Sequence, residues 1–175
     1  ADTGTSTPRV AALVGPYLAG KTSLMESLLA ATGAVDRKGA VTEGTAVGDS
    51  APEARERQMT VEVNVAGTEF LGDDWRLLDC PGSFEFQQNT IQALMVADIA
   101  VVVVDPDPAR AVMVTPLLKF LDERAIPHMI FINRVDQGGV SVRDTLEALQ
   151  LVSERPLVLR EVPIREGDQI TGYVD

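Results

Sequence analysis

The stretch Val10–Thr22, with the sequence VAALVGPYLAGKT, decides how this chain folds. It opens with an apolar run without polar alternation, Val10–Val14, which is typical of a strand buried on both faces of a sheet. Residues Gly15–Thr22 then fit the pattern G-x-x-x-x-G-K-S/T, and leucine and methionine recur at helical spacing up to Ala31. A buried strand, a glycine-rich turn and a helix in this order predict a loop that wraps phosphate groups.

The residue types in this loop suit phosphate chemistry. Glycines let backbone N–H groups approach a phosphate, and the helix N-terminus adds a positive dipole. We expect Lys21 to reach the β- and γ-phosphates and Thr22 to bind Mg²⁺. The residues predicted to bind the nucleotide here are Gly15, Ala19, Gly20, Lys21, Thr22 and Ser23. The alternative, a glycine turn with a purely structural role, stays open at this point.

Outside the loop, apolar runs alternate with amphipathic stretches. Two further runs, Ile99–Val104 and Met129–Ile132, predict strands buried on both faces. The predicted helices are Lys21–Ala31 with Gly33 as C-terminal cap, Gln87–Ala97, a helix from a Thr115 cap to about Arg124, and one opened by Ser141 with Asp144. This alternation predicts an α/β fold with a mostly parallel sheet and helices on both faces.

One region has a different period. Val61, Val63 and Val65 alternate with polar residues, and Trp75–Asp79 follows a turn predicted at Gly72-Asp73-Asp74. This pattern predicts a hairpin that adds one antiparallel edge strand. Residues 33–60 have no clear period, and a loop this long inside a compact domain is usually functional.

Composition narrows the class of protein. The 175 residues suit a single domain after a disordered leader, residues 1–8, and a formal net charge of −11 argues against direct DNA or membrane binding by this surface. One cysteine and one histidine exclude an internal disulfide and a structural zinc site. No apolar run approaches the ~18 residues of a membrane span, and the start of the chain carries no signal segment, so we expect a cytoplasmic monomer.

Two further motifs follow predicted strands. Asp79-Cys80-Pro81-Gly82 places an acidic residue at a strand tip, where it is expected to assist Mg²⁺, and Gly82 can offer a backbone N–H to the γ-phosphate. Asn133-Arg134-Val135-Asp136 looks like the N-K-x-D guanine reader of GTPases, in which the aspartate accepts hydrogen bonds from the base. Arg134 replaces the lysine, and its stem can still cover the plane of the base.

In this order, the three motifs identify a P-loop GTPase, and the sequence resembles translational GTPases, most closely the nucleotide-binding domain of elongation factor G. The likeness runs from about Arg9 to the end and includes FINRVD and the closing ITGYVD. It implies a Ras-like P-loop fold, GTP or GDP with Mg²⁺ as ligands, and ribosome contacts through the full-length protein. It also implies that Thr60, in Arg57–Thr60, is the second Mg²⁺ and γ-phosphate ligand; the alternative is that Thr60 only begins an edge strand.

Two positions depart from the family. The family has a histidine that positions the attacking water where this chain has Ser83, and an aspartate of the phosphate loop falls at Leu18. Lys21, Thr60 and Ser83 are therefore the predicted catalytic set of a GTPase whose hydrolysis is slow or stimulated by a partner. The alternatives are a switch module that binds GTP with negligible turnover, and a ribosome-dependent or recycling role.

The family's Ser-Ala turn, which completes the base pocket, does not follow Asp136. In elongation factor G that turn comes after an inserted subdomain, so we expect residues 9–156 to be the GTP-binding domain and residues 157–175 to be the truncated start of that insertion. Three residues with reactive side chains are interpreted as having no catalytic role. We expect His128 to be a surface or structural residue and Cys80 to be a packing residue. For Glu85, the weaker alternative is that it acts on water in place of the missing histidine.

Overall fold

A computed structural model describes residues 7–36, 39, 62–82, 87–136, 141–167 and 169–175. Within these ranges a five-stranded sheet contains β1 (Arg9–Val14), β2 (Asn64–Phe70), β3 (Asp73–Asp79), β4 (Ile99–Val104) and β5 (His128–Ile132). The order is β2-β3-β1-β4-β5, with every neighbouring pair parallel except β2 and β3. The predicted parallel sheet with one antiparallel edge strand is confirmed.

Helices cover both faces of this sheet. They are α1 (Lys21–Ala31), α2 (Gln87–Val96), a 3₁₀-helix (Pro108–Val114), α3 (Thr115–Glu123) and α4 (Val142–Val152). Alternate residues of β1 enter two separate apolar clusters: Ala11 and Leu13 pack with Met25 and Leu29 of α1, and the next residues pack against α2, α3 and α4. β1 is therefore buried on both sides, as its apolar run predicts.

Three details differ from the prediction. The hairpin turn is Leu71-Gly72, both with positive φ (53° and 82°), and Asp73 already belongs to β3. Thr115 is the first residue of α3 and not its cap, because its φ and ψ are helical (−52° and −50°). Its hydroxyl donates to the Val112 carbonyl of the preceding 3₁₀-helix. The 3₁₀-helix itself was not predicted, and the Asp107 carboxylate caps it by accepting from the Ala109 N–H.

A fourth difference concerns β5, which the apolar run predicts to be buried on both faces. β5 lies at the sheet edge, and its side chains alternate, with Met129 and Phe131 exposed. Ile130 and Ile132 pack in the apolar cluster that contains α3 and α4, whereas Met129 and Phe131 belong to neither apolar cluster of the described residues. The apolar run of β5 is therefore covered on one face.

Two other predicted signals are confirmed. Gly33 follows α1 with φ 74°, the left-handed conformation of a C-terminal glycine cap. The Ser141 hydroxyl accepts from the Asp144 N–H at 3.1 Å and caps α4.

Beyond α4, β6 (Val162–Glu166) and β7 (Gln169–Val174) form a separate antiparallel hairpin. Among the described residues, no helix has the length and apolarity that crossing a membrane requires.

Candidate functional site

The polar residues singled out from the sequence converge at one edge of the sheet. β1, β3, β4 and β5 are parallel, so their carboxyl ends lie along the same edge. The phosphate loop, residues 15–20, leaves β1 there; Asp79 ends β3, Asp105 follows β4, and Asn133 follows β5. In an open sheet of this kind, the crevice beyond the carboxyl ends of the strands is where ligands bind.

The phosphate loop is held in a backbone conformation that costs free energy. Gly20 has φ 91°, and a Cβ added to it would lie 2.2 Å from Asn133 Nδ2, so only glycine fits. Leu18 has φ 62°, a conformation that costs an L-residue about 1–2 kcal/mol. The Leu18 side chain is 55% exposed, so packing offsets little of this cost, and the loop depends on its hydrogen bonds.

Lys21 lies beneath this loop with its side chain buried. Its Nζ donates to the Gly15 carbonyl at 3.1 Å and to the Pro16 carbonyl at 2.9 Å. Burial lowers the pKa of the Lys21 ammonium, and the nearby Asp79, Cys80 and Asp105 partly oppose this shift. An ammonium group desolvated in this way gains free energy when an anion comes into reach.

Thr22 and Asp79 form the second part of the site. The Thr22 hydroxyl donates to Asp79 Oδ2 at 2.6 Å, and Asp79 is fully buried. Gly82 lies against the loop: a Cβ there would come within 2.4 Å of Lys21 Nζ and 2.8 Å of the Pro16 oxygen. Two separate motifs of the sequence, G-x-x-x-x-G-K-T and D-x-P-G, therefore meet side by side.

The N-R-x-D turn forms the third part. Asn133 Nδ2 donates to the Ala19 carbonyl at 2.8 Å, which ties the turn directly to the phosphate loop. Asn133 Oδ1 accepts from the backbone N–H of Arg134 at 2.9 Å, and Arg134 has φ 55°. Asp136 is an exposed residue of this turn.

Three polar residues at this edge were missed by the sequence interpretation. Asp105, at 9% side-chain exposure, pairs with both Arg110 and Arg134. Arg165 of β6 donates to the Val135 carbonyl and so links the hairpin to the N-R-x-D turn. The position of Asp105 directly after an apolar strand was a signal that could have found it, whereas the sequence carries no comparable signal for Arg110 or Arg165.

Several predicted residues do not join this group or cannot be described. Thr60, Ser83 and Glu85 lie outside the described residues. Ser23 is exposed on α1. His128 Nδ1 lies 3.0 Å from the Ile126 carbonyl, a contact that fits a structural role. Cys80 is fully buried, and desolvation together with the charge of Asp79 raises its pKa to about 12, which fits a packing residue.

Comparison with known proteins gives a consistent result. Residues 7–167 match the family described as the elongation factor Tu GTP binding domain. An elongation factor G-like protein of Synechocystis sp. is 48% identical over 95% of this chain and 25% of its own length. Elongation factor G 2 of Streptomyces coelicolor is 32% identical over 90% of this chain and 23% of its own length.

A solved structure agrees with these relatives. A crystal structure from Thermus thermophilus superimposes with a TM-score of 0.81 at 36% identity, covering 96% of this chain and 25% of that one. The chain therefore spans about a quarter of the length of the relatives it matches.

Proposed function

The chain belongs to the family of elongation factor Tu GTP-binding domains, and on that premise we propose that it binds GTP and GDP at the edge formed by its phosphate loop, Asp79 and the N-R-x-D turn. The observation that carries the proposal is the meeting of Lys21, Thr22 and Asp79 beside a loop that Asn133 also holds. Phosphate-binding and base-reading elements adjoin one another, as a nucleotide requires.

Lys21 is proposed to exchange its loop carbonyls for phosphate oxygens. Its ammonium already lies within 3.1 Å of the Gly15 and Pro16 oxygens. A nucleotide phosphate offers full negative charge in place of these neutral acceptors, and charge-assisted hydrogen bonds are roughly twice as strong as neutral ones. Gly82 is proposed to offer its backbone N–H to the γ-phosphate, because a glycine lies against the loop without a side chain of its own to block the approach.

Mg²⁺ fits the residues present. Hydroxyl and carboxylate oxygens are ligands that Mg²⁺ accepts, and the 2.6 Å contact between Thr22 and Asp79 brings one of each together beside the phosphate loop. We propose that Thr22 and Asp79 organise the ion and that Thr60 completes its set of ligands. When bound, the ion neutralises phosphate charge.

The N-R-x-D turn is proposed to select guanine. Asp136 would accept hydrogen bonds from the N1–H and N2–H₂ groups of the base, while the stem of Arg134 would cover its plane. Adenine lacks this pair of donors and would leave the carboxylate without partners. Asn133 and Arg165 hold the turn in place, from the phosphate loop and from β6 respectively.

Hydrolysis is proposed to be slow or stimulated by a partner. Ser83 takes the place of the family's water-positioning histidine, and a hydroxyl orients a nucleophile less well than an imidazole. Leu18 presents an exposed apolar side chain where the family has an aspartate. This second observation favours the alternative function, a GTP-binding switch without useful turnover in a ribosome-associated or recycling role.

The relatives' printed names support a role in translation. Elongation factor G 2 and peptide chain release factor 3 of Lactococcus lactis are translation factors by name. We propose that the ribosome is the partner, engaged through the full-length protein, and that the protein acts in the cytoplasm. We further propose that residues 9–156 form the GTP-binding domain and that residues 157–175 begin an inserted subdomain.

GTP turnover by the full-length protein, with and without ribosomes, separates the two functions. Ribosome-stimulated hydrolysis supports a GTPase and contradicts the switch without turnover. Tight GTP binding with no hydrolysis in either condition supports the switch and contradicts the GTPase. Ser83→His is the informative variant, because restoring an imidazole should raise turnover if the missing water-positioning group limits the rate.

A further inference from the structure

A closed ring of hydrogen bonds, formed by side chains and backbone groups, joins the phosphate loop to the N-R-x-D turn. It runs through Tyr17, Arg110, Asp105, Arg134, Asn133 and Ala19, and we call it the arginine–aspartate ring. On one side, Arg110 Nη2 donates to the Tyr17 carbonyl at 2.9 Å, and Arg110 Nη1 pairs with Asp105 Oδ2. The two ends of one guanidinium therefore hold a loop carbonyl and a strand-end carboxylate.

The other side of the ring returns to the same loop. Asp105 Oδ1 accepts from Arg134 Nη1 at 3.0 Å. Arg134 also donates its backbone N–H to Asn133 Oδ1, and Asn133 Nδ2 donates to the Ala19 carbonyl at 2.8 Å. The carbonyls on both sides of Leu18, those of Tyr17 and Ala19, are thus each fixed by a side chain.

This arrangement acts on a strained residue of the loop. Leu18 is left-handed and mostly exposed, so its conformation is set by its neighbours and not by packing of its own side chain. The Tyr17 carbonyl belongs to the peptide group before Leu18, so fixing it limits rotation about the Leu18 φ. Fixing the Ala19 carbonyl holds the loop on the other side, one residue further along the chain. The loop can then keep its binding conformation before a nucleotide arrives, which reduces the ordering cost of binding.

The charges of the ring also suit an anionic ligand. Asp105 alone would place a nearly buried negative charge beside the phosphate site, but Arg110 and Arg134 both pair with it. The three groups together carry one positive charge, in a chain whose formal net charge is −11. Removing Arg110 would cancel that positive charge and leave the carboxylate with one arginine.

We propose that Arg110 is a positioning residue of the nucleotide site: through the Tyr17 carbonyl it holds the phosphate loop in its binding conformation, and through Asp105 it couples the loop to the guanine-reading turn. This inference rests on the proposed nucleotide binding. It assigns Arg110 no contact with the nucleotide. Its action is indirect, through the loop backbone.

The test uses two variants and a matched control. Arg110→Met keeps the aliphatic length and removes both donors, whereas Arg110→Lys keeps the charge but lacks the fork that bridges two acceptors. Arg143→Met is the control, because Arg143 is an exposed arginine of α4 that pairs with Glu147 one turn away. Stopped-flow with fluorescent GDP and Mg²⁺ gives the association and dissociation rates, and thermal melting without nucleotide measures folding.

We expect Arg110→Met to weaken GDP binding about 10-fold, mainly through faster dissociation, because two hydrogen bonds and a charge are lost. Arg110→Lys should recover part of this loss, and Arg143→Met should stay within about twofold of the parent chain. In an Asp105→Asn background, Arg110→Met should have a smaller effect, because the two side chains act as one unit. A residue that merely stabilised the fold would lower the melting temperature without this coupling or the partial rescue by lysine.

The outcomes distinguish the two claims. If the parent chain does not bind GDP, the proposed function fails, and this inference fails with it. If the parent chain binds GDP and Arg110→Met binds it as tightly as Arg143→Met does, only the inference is overturned. If Arg110→Met does not fold, Arg110→Lys decides: affinity equal to that of the parent chain overturns the inference, and intermediate affinity supports it.

Discussion

The phosphate side and the base side of the proposed nucleotide site are built differently. On the phosphate side, Lys21 and Asp79 are 6% and 0% exposed. Asp79 ends β3, and Lys21 begins α1 directly after the loop that leaves the central strand β1. On the base side, the turn follows the edge strand β5, and its Asp136 is exposed. Core packing fixes one side, whereas hydrogen bonds from the side chains of Asn133 and Arg165 hold the other.

We expect the two sides to contribute differently to binding, one to affinity and the other to selectivity. Buried charges that are held before the ligand arrives contribute most to affinity, because little ordering remains to be done. An exposed carboxylate on a turn contributes chiefly by rejecting bases that cannot satisfy it. Substitutions on the phosphate side should therefore reduce the affinity for every nucleotide, and substitutions on the base side should alter the choice among nucleotides.

The largest effect is expected for Lys21→Ala. Loss of charge-assisted hydrogen bonds to phosphates should weaken GDP binding by about 100-fold or more, and GTP analogues equally. Isothermal titration of both nucleotides measures this. Lys119→Ala, at an exposed lysine of α3 that pairs with Glu123, is the matched control. If Lys21→Ala binds GDP as tightly as the control does, the proposed role of Lys21 in phosphate binding is contradicted.

Asp136→Asn tests the base side. Replacing one acceptor oxygen by an amide donor should weaken GDP binding about 10- to 100-fold while leaving the weak binding of ADP unchanged. Competition between the two nucleotides reports the ratio of affinities. Asp144→Asn, at an exposed position in the first turn of α4, is the control. Equal losses for GDP and ADP would show that Asp136 does not read the base.

Gly82→Ala tests the close contact between the phosphate loop and the residues that follow β3. Its new Cβ would lie 2.8 Å from both the Pro16 oxygen and the Tyr17 nitrogen, so the loop backbone must move. We expect about fivefold weaker binding of a GTP analogue and a smaller change for GDP, because Gly82 is proposed to face the γ-phosphate. Gly172→Ala in β7, where the nearest atom is 3.8 Å away, should change neither affinity.

The smallest effect is expected at Cys80, a buried thiol whose reactivity measures how well the core beside Asp79 excludes solvent. Its pKa is raised from 9.0 to about 12, so the folded chain keeps the thiol proton when the unfolded chain has lost it. Below pH 9.0 both states hold this proton, and the stability of the fold does not depend on it. As the pH rises from 9.0 to about 12, the unfolded chain gains free energy by ionising, so the folded chain loses stability relative to it. Alkylation at pH 8 should require denaturant; rapid alkylation of the folded chain would contradict the closed packing.

Short-range patterns made most of the fold predictable. The Val10–Thr22 stretch joins β1, the phosphate loop and α1 through neighbouring residues, and Gly33 ends that helix where its residue type predicts. Parallel strands then brought Asp79 and Asn133 to the same edge, so the meeting of the motifs also followed from the pattern.

Tertiary contacts decided what the sequence could not. Which face of β5 is covered depends on the helices that pack against it, and no local pattern contains that information. Arg110 contacts the Tyr17 carbonyl across 93 positions of sequence, and Arg165 reaches Val135 across 30. Such contacts depend on the packing of whole elements, and arginine is common enough on surfaces to carry no signal of its own.

Competition of GDP and ADP for the chain in the presence of Mg²⁺ measures whether the site selects guanine. We expect saturable GDP binding that strengthens with Mg²⁺, with ADP binding at least about 100-fold weaker. Binding of both nucleotides with equal affinity would contradict the assignment of the N-R-x-D turn. Absence of binding by either would contradict the proposed nucleotide site of this chain.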